Sequence, residues 1–228
     1  FSYMPTIFDK FVLAPTTSEF FLYRWLSKLG ELGPFFPNFG NDDYAVEIIN
    51  INVASQFMTH ISTSISMAAV IAFPYFIWEI WKFIEPALFE EEIKHLRPAF
   101  MGGTFMFYLG CAIGYLFVFP FTFRFLSPNI TNQINLQSYI DNFTLLILVM
   151  GIVFEMPLLA WLLSLLGILK KSFLREYKRH AIVVLLITAA IITPSGDPFS
   201  LMLVFIPLYV LYELSILVVR DKAKIEEI

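Results

Sequence analysis

Asn142 to Leu169 reads NFTLLILVMGIVFEMPLLAWLLSLLGIL and carries one charged side chain, Glu155. A helix needs roughly 20 apolar residues to cross a bilayer core. This stretch meets that length, and others resemble it. Pro98 to Phe123 carries no charge, and Ile48 to Trp78 has no acidic or basic residue except His60. Pro198 to Val219 carries only Glu213, and Ala181 to Gly196 is charge-free but short. The pattern predicts five helical spans, near 53–82, 98–121, 140–168, 178–193 and 199–219. The fold class is therefore an all-α polytopic membrane protein, with 1–228 as a single membrane domain.

Composition agrees. Of 228 residues, 58% are hydrophobic and 15% are charged, and the mean hydropathy is +0.72. A soluble domain is about a quarter charged, so these few charges cannot coat a soluble enzyme. The net charge of −4 argues against nucleic acid as a partner, which would call for a basic excess. Cys111 is the single cysteine, which removes a disulfide framework and a cysteine metal cluster. There is no phosphate-binding G-x-x-x-x-G-K-[ST] loop, no H-E-x-x-H and no G-x-S-x-G nucleophile. No cofactor, metal or catalytic residue is expected.

Lys and Arg gather in alternate loops, which sets orientation. Lys170, Lys171, Arg175, Lys178 and Arg179 fill 168–180; Lys82, Lys94 and Arg97 follow the first span; Arg220, Lys222 and Lys224 lie in 220–228. The intervening loops hold only Arg124. The basic side is cytoplasmic by this rule, so 220–228 is a cytoplasmic tail and residue 1 lies outside. That arrangement predicts an earlier helix ending near Phe1–Met4, with six spans in total. Residues 1–52 then hold the end of that first helix and an outer loop. Within the loop, Leu22, Trp25, Leu26 and Leu29 oppose Arg24, Lys28 and Glu31, the pattern of an amphipathic helix. The fourth span is short, roughly 24 Å at 1.5 Å per residue. Pro207 is expected to interrupt the fifth, and Pro194, Gly196 and Pro198 to tighten the hairpin before it.

Polar residues inside the spans are the candidate sites. Glu155 at mid-span costs about 2.5–3.5 kcal/mol on insertion scales, so it must face protein or water. Pro157 frees a carbonyl near Val153 and adds local polarity. Either Glu155 is a structural carboxyl bonded within the bundle, or it marks a site for a substrate, an ion or a partner helix. Glu213 lies two turns from Arg220 and is expected to be structural, reaching the inner face. Gln56, Thr59, His60, Thr63 and Ser64 recur at i, i+3, i+4, i+7 and i+8, one polar stripe for a helix interface or a wet cavity. Gly103, Gly110 and Gly114 share a face that permits close helix approach, within the bundle or between copies.

The first inner loop opposes the basic bias. Between Phe83 and Pro98 it carries Glu85, Glu90, Glu91 and Glu92. An acidic patch beside Phe83 and Phe89 suits an arginine-bearing segment with apolar residues, since the guanidinium fork pairs with carboxylates. Equally, Glu90 to Glu92 suit the first turn of a helix.

The run Trp81-Lys82-Phe83-Ile84-Glu85-Pro86-Ala87-Leu88-Phe89 with Glu92 resembles the first cytoplasmic loop of the TatC family, the core subunit of the twin-arginine protein translocase. Phe107-Tyr108-Leu109-Gly110, Phe154-Glu155-Met156-Pro157, Thr193-Pro194 with Asp197, and Ile206-Pro207-Leu208-Tyr209 resemble its later helices and last outer hairpin. The resemblance implies a six-helix concave bundle in a bacterial cytoplasmic membrane, with short last helices and no enzymatic activity. It implies binding of twin-arginine signal peptides, with Phe83 and Glu92 at recognition positions. It further implies TatA- and TatB-type single-span partners, export of folded proteins by the proton-motive force, and a homo-oligomer within the complex. Glu155 would face those partners, and Pro15, Pro74 and Asp197 would shape the fold. Two other classes stay open on the residues alone, an ion-coupled small-solute transporter using Glu155 and His60, and a structural membrane subunit. A transporter of that kind would show an inverted repeat, and the spans show none.

Overall fold

The computed structural model describes residues 11–16, 47–50, 54–87, 90–124, 133–165, 167–193 and 198–219. Helix α1 (Ser55–Ile84) is followed by a 3-10 turn, Glu85–Ala87. Helix α2 (Glu90–Ile113) passes through a π-helical turn, Gly114–Val118, into α3 (Phe119–Arg124). Helices α4 (Leu136–Phe154) and α5 (Met156–Leu165) are separated by Glu155 alone. Helices α6 (Lys171–Glu176) and α7 (Lys178–Ile192) are separated by Tyr177, and α8 (Pro198–Val218) comes last. Ser55–Ile84, Phe100–Thr122, Leu136–Leu165 and Pro198–Val218 are each long and apolar enough to cross a membrane. Helix α7 has 15 residues, roughly 22 Å at 1.5 Å per residue.

Two elements depart from expectation. Pro207 does not interrupt α8, which runs through it unbroken. A proline removes one backbone bond, but packed neighbours in a membrane bundle can accommodate the freed carbonyl. Pro74 likewise sits inside α1. Helix α2 also begins earlier than 98: its first turn is Glu90–Glu92, where carboxylates favour the positive end of the helix dipole.

A short parallel ladder pairs β1 (Glu47–Ile49) with β2 (Gln133–Asn135), Ile48 opposite Ile134. It precedes α1 and α4 and so sets their first turns at one end of the bundle. Asn135 caps α4, its side chain accepting the Gln137 backbone N–H at 2.9 Å. Gln137 then accepts from the Thr59 hydroxyl at 3.2 Å, tying α4 to α1.

Lipid tails are as apolar as leucine, so helices associate here through close packing and hydrogen bonds. Helix α4 packs against α1 and α2, and α8 against α5 and α7. Glycines set the α2–α4 distance. A Cβ on Gly110 would lie 2.6 Å from the Met150 carbonyl oxygen, and one on Gly151 would lie 2.6 Å from the Phe107 ring. The glycine face of α2 is therefore spent inside the bundle. Beyond it, Phe119 meets the rings of Tyr139 and Phe143 edge to face. The Tyr139 hydroxyl donates to the Val12 carbonyl at 2.7 Å and that of Tyr115 to Phe11 at 2.9 Å. These bonds hold 11–16, with Pro15 buried in the turn Ala14–Thr16. The amphipathic pattern at 22–31, the hairpin with Pro194 and Asp197, and the tail 220–228 lie outside the described residues.

Candidate functional site

Glu155 sits where one span changes helix. Pro157 has no N–H to continue the ladder. The Glu155 N–H turns to the Ile152 carbonyl at 3.1 Å, and the Glu155 carbonyl takes up the Leu159 N–H at 2.9 Å. Backbone bonding thus resumes on each side of the break, and the side chain is directed at α2. There Gly103 makes room: a Cβ on it would lie 2.9 Å from Glu155 Oε2 and would also collide with Leu158.

The carboxyl is 5% exposed. Neither oxygen has a hydrogen-bond partner among the described residues. A buried polar group without a partner is costly, and no bond among the described residues offsets that cost here. It borders a groove of about 570 Å³ between α1, α2, α4 and α5. The other walls are apolar, among them Phe73, Ile77, Phe100, Leu158 and Leu162. The Phe73 and Phe107 rings stack at 3.5 Å between centroids and close one side. One polar point in an apolar groove suits a mostly apolar ligand that brings its own donor.

The structure does not bring Gln56 and His60 to this groove. Ala69 is the nearest groove residue of α1 along the chain, nine residues past His60, or roughly 13 Å of helix. Nor does the five-residue stripe stay together. Thr59 and Thr63 are buried, whereas Gln56 and Ser64 are exposed. The inward edge of the stripe makes a helix interface through Thr59 and Gln137.

Glu213 has a partner that the sequence reading did not name. It pairs with Lys178 of α7, and Lys178 also stands over the Tyr209 ring, 5.6 Å from its centroid. Glu213 is thus structural, through a neighbouring helix. At the turn between α1 and α2, Phe83 is 84% exposed. Glu85 is half-buried in the 3-10 turn, and Glu90, Glu91 and Glu92 begin α2 just beyond it. The topology therefore gathers all five predicted binding residues into one connection. Among the described residues no group of His, Cys, Asp or Glu could hold a metal ion.

Sequence reasoning missed the seat that Gly103 gives Glu155 and the Lys178 partner of Glu213. The glycine face was a usable signal for the first. Nothing in the local pattern marked the second.

Residues 1–207 match the family described as "Sec-independent protein translocase protein (TatC)". The chain is 37% identical over 216 residues to the Sec-independent protein translocase protein TatC of Blattabacterium sp. subsp. Periplaneta americana, covering 92% of this chain and 81% of that protein. It is 38% identical over 186 residues to the TatC protein of Helicobacter pylori strain J99, covering 80% and 74%. Two crystal structures titled as the twin arginine translocase receptor TatC share its fold. One has a TM-score of 0.67 at 31% identity, over 76% of this chain and 78% of the other. The second, in DDM, has a TM-score of 0.70 at 26% identity, over 92% and 94%. These are translocase components and not enzymes. The chain belongs to the TatC family of Sec-independent protein translocase proteins.

Proposed function

We propose that this chain is the receptor and scaffold subunit of a twin-arginine protein translocase. It works in the bacterial cytoplasmic membrane as a single membrane domain with its C-terminus cytoplasmic. The turn between α1 and α2 docks the arginine pair of a signal peptide on Glu92 and its neighbours, and Phe83 meets the peptide's apolar residues. Glu155 receives a polar group from a TatA- or TatB-type single-span partner lying in the groove. Folded cargo then crosses at the expense of the proton-motive force.

The observation that carries the scaffold reading is the buried Glu155 carboxyl, unpartnered among the described residues and opening onto an apolar groove. The receptor reading is supported by the exposed Phe83 beside the acidic turn and by the likeness to two crystal structures of a twin arginine translocase receptor. Export of a folded twin-arginine reporter in cells lacking this protein tests the whole. The parent chain restores export, and Glu92→Ala restores less, because it binds a twin-arginine peptide more weakly. A twin-lysine peptide binds poorly to both. Equal peptide binding by Glu92→Ala and the parent would count against the receptor role.

A further inference from the structure

The segment from Lys170 to His180 has three distinct sides. One is pinned to α8: the Leu174 carbonyl accepts the Tyr212 hydroxyl at 2.6 Å, and Lys178 pairs with Glu213. Because that side is held, the directions of the other two are set. Lys171 and Arg175 stand one turn apart on α6, and Arg179 follows at the same spacing past the Tyr177 turn, with the exposed Glu176 beside them. Arg175 and Arg179 are exposed and have no acidic partner among the described residues. Phe173, Tyr177 and His180 occupy the remaining side. The Phe173 and Tyr177 rings are 4.6 Å apart, and Tyr177 is 5.6 Å from His180. Phe173 and Tyr177 are exposed, and so is Ile168 at the entry to the segment.

The charge-free run of α7 begins at Ala181, directly after this segment. The stripe therefore stands where hydrocarbon gives way to headgroups, with aromatic rings at the depth they favour. A cationic stripe flanked by exposed rings at that level complements one kind of surface. The cations meet phosphate, and the rings meet the glycerol and upper acyl region.

We propose that Lys171, Arg175 and Arg179, with Phe173 and Tyr177, form a binding site for anionic phospholipid at the α6–α7 junction. The site is separate from the Glu155 groove. It requires only that the chain is embedded in a bilayer, and not the direction in which the chain is inserted.

Native mass spectrometry of the full chain, purified in detergent with equal phosphatidylglycerol and phosphatidylcholine, tests this. The parent retains the anionic lipid preferentially. Arg175→Gln/Arg179→Gln lowers phosphatidylglycerol adducts about fivefold or more and leaves phosphatidylcholine adducts unchanged. Arg175→Lys/Arg179→Lys keeps most of the preference, which separates lost charge from a damaged fold. Lys82→Gln removes a cation that pairs with Glu79 at 3.1 Å in another turn, and it changes nothing. Phe173→Ala/Tyr177→Ala also lowers lipid retention. Retained preference in Arg175→Gln/Arg179→Gln would overturn the proposal. So would displacement of the lipid by inorganic phosphate beyond an ionic-strength-matched chloride control, which would assign the stripe to free phosphate. Loss of a crosslink to an acidic protein segment in that variant, with lipid unchanged, would assign it to a protein.

Discussion

Glu155 and Glu213 are both carboxylates within apolar helices, and the bundle treats them in opposite ways. Glu213 meets Lys178 across the α7–α8 contact and is partly open to its surroundings. Glu155 is buried, has no partner among the described residues, and borders a groove. A paired charge fixes two helices relative to each other. One without a partner among the described residues ties no helix to another, which is why Glu155 is proposed to serve what enters the groove. Two acidic residues of similar sequence context thus separate into one that fastens two helices and one that borders a groove.

The largest expected effect comes from closing the space that Glu155 occupies. Gly103→Val drives a side chain into Leu158 and the carboxyl, and such overpacking costs about 1–3 kcal/mol. Both thermal stability and reporter export should fall. Unchanged stability would mean that α2 can move away and that the seat is not tight.

Glu155→Leu should then divide function from fold. Export is expected to fall about tenfold, equivalent to roughly 1.4 kcal/mol of lost interaction. The melting temperature should hold or rise, because an apolar side chain replaces a costly carboxyl. A clear drop in melting temperature would show that Glu155 is a fastener too, and the contrast with Glu213 would fail.

Glu213→Leu is the mirror experiment. It leaves Lys178 without its partner and should lower stability by up to about 1 kcal/mol, the range for a partly exposed pair. A double-mutant cycle with Lys178→Gln should return most of that as coupling, and additive effects would dissolve the pair. The smallest effect is expected at Thr59→Val, which removes the hydroxyl bond to Gln137. Bonds between membrane helices average about 0.6 kcal/mol, and export should be unaffected. A large loss of export there would return the 56–64 stripe to the list of functional sites.

Helices were legible because charge marks their ends. The charge-free run beginning at Pro98 lies within α2 and its continuation, the run from Pro198 with Glu213 as its one charge became α8, and the single charge in 142–169 became the helix break. Local bonding explains what was misread. Pro207 looked like an interruption because a proline's cost is usually judged for a lone helix, whereas packed neighbours bear part of it. The 56–64 residues looked like one stripe because helical period identifies a face, not which edge of that face turns inward. The Lys178–Glu213 pair joins residues far apart in sequence, and no periodicity reports that α7 lies beside α8. The groove has the same origin: Phe73, Phe100 and Leu162 line it only through the relative placement of three helices. The family resemblance was readable from motifs, but the lack of a partner for Glu155 among the described residues was not.

The central claim is that Glu155 is held ready for a partner helix. A photocrosslinking residue at Leu159, which lines the groove and is largely exposed, tests it in the assembled translocase while Glu155 stays intact. The account predicts an adduct with a single-span partner subunit, sharply reduced by Glu155→Leu. Adducts with lipid alone, the same in both proteins, would contradict it.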